Sequence, residues 1–422
     1  MRRSSFTRVG AIAFALVLVL AACGDDDDSS SDDTTTTEAG GGGGGGGAEG
    51  ALSIGAVLPQ TGPLGFLGPP QIEGVTLAVE DINDAGGVLG SDVELNIADE
   101  GETPQTAAES ATRVVSEGAN AVVGAAASGS SQEFIQQLSD QQIPQCSASN
   151  TAPDFTDQDN ADFYFRTVPP DNAVAPIIAD TVIGDGAAKV VVVARADDYG
   201  QGLGELVVDG LTEAGADVPE LITYDPDATN FSTEISTITG EAPDAVVLIA
   251  FDEGGQILAG LLEEGLTPDQ FYGADGVFGP TFPDQVEEGN ANVLDGMKVI
   301  GAAGDETFNE RIAEATDNNF IYGGQAYDCA IIMTLATEVA GSTDGEAIIA
   351  EVQGVTEGGE ACETFEDCKK LLEDGEDIDY DGASGAIDLD EPGDPTQARY
   401  AIGQFTDGEL VIDSTQDVAV EG

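Results

Sequence analysis

The chain has 422 residues, with 80 acidic against 12 basic side chains and no histidine, which gives a net charge of −68 at pH 7. Only nine basic residues remain after the first 23, so the basic patch that nucleic-acid binding needs is excluded. The lack of histidine excludes His-based triads and His metal sites, which leaves carboxylate chemistry or none. The length predicts two or three domains, and the acidity predicts a solvated surface.

Residues 1–23 predict a secretory signal. Three arginines precede an apolar run at 10–22, which is too short to span a bilayer. The run ends in LAAC, which resembles the lipobox of bacterial lipoproteins and implies a lipid anchor on Cys23; an ordinary secretory signal is the alternative. Residues 24–50 are acidic and glycine-rich, which predicts a disordered tether. We therefore expect a folded body held by a lipid at the extracellular face of the cell membrane, or in the periplasm.

From residue 51 onward, apolar runs typical of strands alternate with periodic runs typical of helices. The first series is strand 52–59, helix 72–87, strand 93–99, helix 104–118, strand 119–127 and helix 130–142. The second series is strand 188–197, helix 200–215, strand 220–225, helix 231–239, strand 244–251, helix 254–265 and strand 270–276. This alternation predicts an α/β protein in which parallel strands are covered by helices on both faces.

The remainder of the chain predicts a further helix at 325–340 and hairpin-like strands within 380–394 and 398–411. These pieces are too small for a third domain, so we expect them to complete the two earlier units.

Small hydroxyl residues follow two of the apolar runs of the first series, within 125–134 and within 145–156. Parallel strands that end at one edge of a sheet bring such residues together, beside helix N-termini that attract anions. We therefore expect a polar cradle for a small charged ligand.

Four cysteines follow Cys23, an even number that is compatible with disulfides in an exported protein. The spacing CETFEDC predicts a local bond between Cys362 and Cys368, whereas the spacings of a zinc site are missing. No metal or cofactor is expected.

An ordered set of motifs resembles one family. The set comprises IGAVLPQTGPLGFLG, GVTLAVEDINDAGGVLG, VVGAAASGSSQ, SASNTAPDFT, FRTVPPDN, DDYGQGLG, ATNFS, PDAVVLIAF and YGADGV. It is similar to the extracellular substrate-binding proteins of branched-chain amino-acid ABC transporters, the leucine/isoleucine/valine-binding type. The resemblance covers about 52–280 in order and continues more loosely to the end.

This resemblance implies a type I periplasmic-binding-protein fold, in which two Rossmann-like lobes are joined by a three-segment hinge and close on the ligand. Lobe 1 would take 51–168 and 303–378, and lobe 2 would take 169–302 and 379–422. The crossings are expected near Val168, Ala302 and Tyr380. Cys146 and Cys329 would then share lobe 1, so a disulfide between them is possible.

The resemblance also assigns the binding residues. Ser128, with backbone N–H groups, and Thr151 would hold a ligand carboxylate, while Asp275 and the carbonyl of Ser149 would hold its ammonium. For Ser128, Thr151 and Asp275, a helix cap or a turn role is the alternative. Tyr199 would pack on the ligand from lobe 2, with a core role as the alternative.

The pocket wall is expected to be apolar at Phe66, Leu67 and Phe251, where the sequence lacks tyrosines that some family members carry. The implied function is binding of a small amino acid and its delivery to ABC permease subunits by a monomeric protein without catalysis. Binding of an amide, urea or aromatic acid, or a role as a ligand-sensing ectodomain, stays open. The rival of another class is an exported hydrolase that uses Asp197 and Asp198, or Asp275, as paired carboxylates.

Overall fold

Two open sheets with helices packed on them build the protein. The structure is a computed structural model, and it describes residues 51–158, 161–391 and 393–420, which belong to one unit. The expected lipid-attachment residue Cys23, the signal at 1–23 and the tether at 24–50 lie outside the described residues.

The first sheet has five parallel strands in the order β2-β1-β3-β4-β5. Its strands and the helices between them are β1 (Ser53–Leu58), α1 (Gly68–Asp84), β2 (Glu94–Asp99), α2 (Pro104–Ser116), β3 (Ala121–Gly124), α3 (Ser128–Asp140), β4 (Gln145–Ser147) and β5 (Tyr164–Arg166). The inner strand β1 is buried along its whole length, because helices cover both faces of the sheet.

The second sheet begins with the next series of elements. These are α4 (Asp171–Gly184), β6 (Val190–Arg195), α5 (Asp198–Glu213), β7 (Ile222–Tyr224), α6 (Ser232–Glu241), β8 (Ala245–Ile249), α7 (Gly254–Glu263), β9 (Phe271–Gly273), α8 (Pro283–Val286) and β10 (Lys298–Ala302). Strands β7, β6, β8, β9 and β10 are adjacent in that order and parallel.

The last part of the chain adds elements to both halves. They are α9 (Glu306–Ile312), α10 (Gly323–Ala340), α11 (Gly345–Ile349), β11 (Glu360–Cys362), α12 (Phe365–Asp374), β12 (Ile378–Gly382), β13 (Gly385–Ala386), β14 (Gln397–Thr406) and β15 (Glu409–Ala419). Strands β11, β12 and β13 form a small sheet beside the first half, and the hairpin β14–β15 extends the second sheet antiparallel to β10.

Helix ends follow local sequence signals. The Thr103 side chain accepts the N–H of Thr106 at 3.2 Å and caps α2, where Pro104 fills the first turn. The Asp197 side chain accepts the N–H of Gly200 at 2.9 Å and caps α5. The cap on α5 matters for function, because it fixes the start of the helix that carries Tyr199.

The chain crosses between the two halves three times. It does so between Arg166 and Asp171, and again between Ala302 and Glu306. The third crossing was expected near Tyr380, and this expectation is wrong. The Tyr380 ring lies in the core of the first half, and the Tyr380 hydroxyl donates to Asp328 of α10 at 2.7 Å. Leu389 lies in the same core. The chain joins the second sheet only at β14, so the third crossing follows Leu389.

Candidate functional site

A small cavity lies where the two halves meet, and the space in and around it that no atom fills, open solvent included, is about 280 Å³. It is lined by Leu64, Leu67, Ala126, Ala127, Ser128, Ser149, Thr151, Tyr199, Phe251, Asp275, Gly276 and Tyr322. Seven of these residues were predicted from the sequence. Leu64, Leu67 and Tyr322 precede or follow elements of the first half, yet they pack in the core of the second, so the two halves are closed on each other.

Hydroxyl groups from the first half form one end of the cavity. Ser128 is the first residue of α3 and does not cap the helix; the N-cap is Ala127. The Ser128 Oγ accepts the N–H of Ala152 at 3.4 Å, which links it to the loop that carries Thr151. The first N–H groups of a helix have no intrahelical acceptor, so this end of α3 favours an anion.

Glu100 fixes the main chain just before Ser128. Its carboxylate is buried and accepts the N–H groups of Ala126 at 2.8 Å and Ala127 at 3.0 Å. Burial raises the pKa of Glu100 to about 7, while these two hydrogen bonds oppose the rise. On the other side of the hydroxyl end, the Ser149 Oγ donates to the carbonyl of Ala126 at 3.1 Å. The hydroxyl end is therefore held by fixed main-chain contacts.

An aromatic pair from the second half forms one wall. The rings of Tyr199 and Phe251 stack with centroids 5.5 Å apart and planes inclined by 12°. The Arg195 guanidinium lies 3.5 Å from the centroid of the Phe251 ring and pairs with Glu253 at 2.8 Å. The Tyr199 hydroxyl accepts the N–H of Gly276 at 3.3 Å. Contacts with Arg195 and Gly276 therefore hold the two rings of this wall in place.

A carboxylate also lines the cavity. Asp275 lies in the turn after β9, and neither of its carboxylate oxygens has a hydrogen-bond partner among the described residues. Burial raises the pKa of Asp275 to about 7, and the nearby Tyr322 hydroxyl offsets part of the rise. A buried carboxylate without a partner is costly, and a cation would relieve this cost.

A second buried carboxylate, that of Asp171, lies near Asp275 but does not line the cavity. Both of its oxygens also lack hydrogen-bond partners within the described part of the chain. Burial raises the pKa of Asp171 well above its usual value, and the charge of Asp275 adds to the rise, while Thr151 and Arg166 oppose it. The two carboxyl groups are therefore close enough to influence each other, and both favour a cationic partner.

The apolar wall differs from the expectation in one residue. Leu67 lines the cavity together with Leu64, but Phe66 does not. The Phe66 ring lies against Gly279 of the second half, and its carbonyl accepts the side-chain amide of Asn319 at 2.6 Å. The three residues Gly65–Leu67 form a tight 3₁₀ turn, which directs the neighbouring side chains apart.

Both possible cysteine pairings are present as disulfides. Cys146 of β4 is bonded to Cys329 of α10, with Cα atoms 5.6 Å apart, and Cys362 is bonded to Cys368. The first bond ties the strand that precedes Ser149 to the long helix of the first half.

The carboxylates considered for hydrolysis do not meet in the cavity. Asp197 pairs with Arg195 at 2.5 Å while it caps α5. Asp198 lies outside the cavity lining, near Asp154 of the first half, and burial raises its pKa.

Sequence reasoning missed five lining residues, among them Leu64 and Tyr322, and it also missed Asp171 outside the lining. Asp171 stands in the motif FRTVPPDN, which was noted only for its resemblance, and Leu64 lies one turn before Leu67. Tyr322 adopts a left-handed conformation (φ 62°) just before α10, far along the chain from the other members. An unusual backbone conformation at a tyrosine suggests a functional position, but the sequence alone does not reveal it.

The closed two-sheet architecture and the cavity between the halves define a class of ligand-binding proteins. A family model described as periplasmic binding protein matches residues 51–409, and the chain belongs to this family of substrate-binding proteins. The family expected from the motifs and the expected type I fold are thereby confirmed.

Individual relatives can also be named. The chain is similar to the Leu/Ile/Val-binding protein homolog 3 of Brucella melitensis, with 25% identity over 85% of this chain and 93% of that protein. It is 28% identical to the chemotactic signal transduction system substrate-binding protein BasB of Halobacterium salinarum, over 85% of this chain and 88% of that protein. The crystal structure of the leucine-binding protein LivK from Thermotoga maritima has a similar fold, with a TM-score of 0.73 and 23% identity over 86% of this chain and 98% of that chain.

No helix in the described part of the chain combines the length and the apolarity that a membrane crossing requires.

Proposed function

We propose that this protein binds a small α-amino acid with a branched-chain or similar side chain in the cavity and delivers it to an ABC permease for import. One observation carries the proposal. The cavity lining combines hydroxyls and a helix N-terminus with the buried carboxylate of Asp275, and the buried carboxylate of Asp171 lies near Asp275 outside the lining; neither carboxylate has a hydrogen-bond partner among the described residues. A free amino acid carries complementary charges at its two ends.

The carboxylate of the ligand would lie against Ser128, the first N–H groups of α3 and Thr151. Its ammonium would lie against Asp275 and the Ser149 carbonyl, with Asp171 adding negative charge behind. Each charge of the ligand loses water in a closed cleft, and stranding either one would cost several kcal/mol. Binding at both ends at once is what makes a zwitterion preferable to an amine or an acid.

The side chain of the ligand would contact Leu64, Leu67 and Phe251. These residues offer no hydrogen bond to a polar side chain, which favours an aliphatic group. The cavity is small, so a small ligand is favoured over a large one. Relatives named as Leu/Ile/Val-binding proteins support this preference.

The same protein would be exported and attached at Cys23 by a lipid to the extracellular face of the membrane. It would act as a monomer and without a cofactor. A second candidate function is ligand sensing, because one relative is named as part of a chemotactic signal transduction system. Both functions use the same binding event, so they differ only in the partner that receives the closed form.

Isothermal titration calorimetry against leucine, isoleucine, valine, alanine, urea, acetamide and benzoate tests the ligand class. We expect the branched-chain amino acids to bind with a dissociation constant of about 1 μM, or about −8 kcal/mol. Binding of benzoate or the amides in preference to every amino acid would refute the proposal. Co-purification with permease subunits, or instead with a membrane receptor, separates transport from sensing.

A further inference from the structure

Arg166 is fully buried at the end of β5, next to the cavity but not in its lining. A guanidinium has five N–H donors in a rigid fork, and here all five have acceptors. Nη1 donates to the carbonyls of Asn150 and Ala152, both at 2.9 Å. Nε and Nη2 donate to the two carboxylate oxygens of Asp394 at 2.6 and 2.9 Å, and Nη2 also donates to Thr156 Oγ1 at 2.9 Å.

The two carbonyls that Arg166 holds flank Thr151 on either side. The carbonyl of Thr151 itself accepts the N–H of Asp171 at 2.8 Å. Three consecutive carbonyls therefore have fixed donors, and two of these contacts come from one charged group. Charge-assisted hydrogen bonds are short and directional, so they set the orientation of the Thr151 side chain toward the cavity. A lysine has no planar fork and could not reproduce this set.

Asp394, the partner of Arg166, lies in the third crossing between the two halves. The N–H of Arg166 donates to the carbonyl of Gly393 at 3.0 Å, and the N–H of Asp394 donates to the Asp390 carboxylate at 2.9 Å. Gly393 has a φ of +87°, and a Cβ there would come within 2.9 Å of the Cβ of Phe165. Main-chain and side-chain contacts together therefore hold the third crossing against β5.

We propose that Arg166 is a positioning residue for the head group of the ligand and that, through Asp394, it couples the Thr151 loop to the third crossing. The inference rests on the proposed function for the identity of the ligand. Arg166 does not contact the apolar wall at Leu64 and Leu67, so substitution of Arg166 should weaken the affinity for every amino acid by the same factor. A residue that shapes the side-chain pocket would instead change the ranking of ligands.

The variants Arg166→Lys and Asp394→Asn, singly and combined, test the coupling. Calorimetry with leucine, valine and alanine is expected to show affinities about tenfold weaker or more for each single variant, with the same factor for all three ligands. The double variant should lose little more than either single variant, because both changes break one unit. The control is Cys362→Ser with Cys368→Ser, which removes a disulfide from outside the cavity lining and should leave the affinities unchanged.

Hydrogen exchange of residues 149–156 in the ligand-free protein supplies a readout that needs no ligand. Faster exchange is expected in both Arg166→Lys and Asp394→Asn, but not in the cysteine control. If the wild-type protein binds none of the amino acids, the proposed function is refuted, but the role of Arg166 is not. The exchange result then decides the role of Arg166. Unchanged exchange refutes that role. Where the wild type binds, a folded variant with affinities within about twofold of wild type, or a loss that differs between ligands, also refutes it.

Discussion

At the scale of single residues, Asp275 should control binding most strongly. Its pKa is raised to about 7, mainly by burial. An ammonium ion needs the ionised carboxylate, so binding must release the proton that Asp275 holds at lower pH. Affinity for leucine should therefore fall as the pH falls below about 7, approaching tenfold per pH unit for one proton.

The variant Asp275→Asn keeps the shape of the side chain but removes its charge. The substitution should weaken the affinity for leucine by about 100-fold or more, because the ammonium would be buried without a counter-charge. It should also flatten the pH dependence of this affinity. The matched control is Asp252→Asn, since burial raises the pKa of Asp252 to about 6 but this residue does not line the cavity. Calorimetric titrations between about pH 5 and about pH 8 make the comparison. An unchanged pH profile in Asp275→Asn would contradict the assignment.

At the scale of elements, closure brings α5 of the second half against the 3₁₀ turn Pro153–Phe155 of the first half. A Cβ at Gly202 of α5 would come within 2.9 Å of Pro153 Cδ. The lining residues Thr151, Tyr199 and Asp275 are buried, so a ligand can enter only when the halves separate. The close contact between α5 and Pro153 in the closed form therefore requires a residue as small as Gly202.

The substitution Gly202→Ala should therefore act in opposite directions on stability and on binding. Alanine in a helix is favoured over glycine by about 1 kcal/mol, so the ligand-free protein should unfold at the same or a higher temperature. The closed form, in contrast, is hindered, and leucine should bind more weakly. The control Gly240→Ala in α6 has open space around the new Cβ and should leave affinity unchanged. Tighter binding by Gly202→Ala would show that closure does not use this contact.

The two disulfides should differ in their contribution to stability. Cys146 and Cys329 are 183 residues apart, whereas Cys362 and Cys368 are six apart. In the chain-entropy description, closing these loops stabilises the protein by about 5 and about 2 kcal/mol, respectively. Urea unfolding of the two Cys→Ala double variants measures the difference. An equal loss in both variants would show that loop length does not determine the contribution here.

The alternation of apolar and periodic runs was enough to predict the order of strands and helices, because it reflects which local segment is buried. The two parallel series and the polar residues after β3 and β4 followed from this order. The third crossing could not be located, since the strand-like pattern around Tyr380 is the same in either half. Its place depends on the contact between Tyr380 and Asp328, which are 52 residues apart. Tyr322 and Asp171 were missed for the same reason: long-range packing brings Tyr322 to the cavity and Asp171 close to Asp275.

At the scale of the whole molecule, the excess of negative charge governs the response to salt and pH. In the described ranges, eight of the nine lysines and arginines already form ion pairs, so most carboxylates have no counter-charge. Repulsion among them disfavours the compact state and is screened by salt. The melting temperature of the ligand-free protein should therefore rise between about 0.1 M and about 1 M NaCl. A flat or falling melting temperature would contradict this account.

Stability should also increase as the pH falls from about 8 to about 5. Burial raises the pKa values of Glu100 and Asp275 to about 7 and that of Asp328 to about 6. A carboxyl with a raised pKa binds a proton in the folded state before the unfolded state does, so it stabilises the fold at low pH and loses this effect as the pH rises through its folded pKa. Thermal unfolding without ligand should thus show a pH trend opposite to that of leucine affinity, and parallel trends would contradict the assignment of these groups.

We propose that one cavity recognises both charged ends of an amino acid. Calorimetry with leucine and two analogues of the same side chain, 4-methylpentanoate without the ammonium and 3-methylbutylamine without the carboxylate, separates the contributions of the two ends. We predict that leucine binds and that each analogue binds about 100-fold more weakly or worse, because each leaves one end of the cavity without its partner. If either analogue bound as tightly as leucine, the two-ended site would be contradicted.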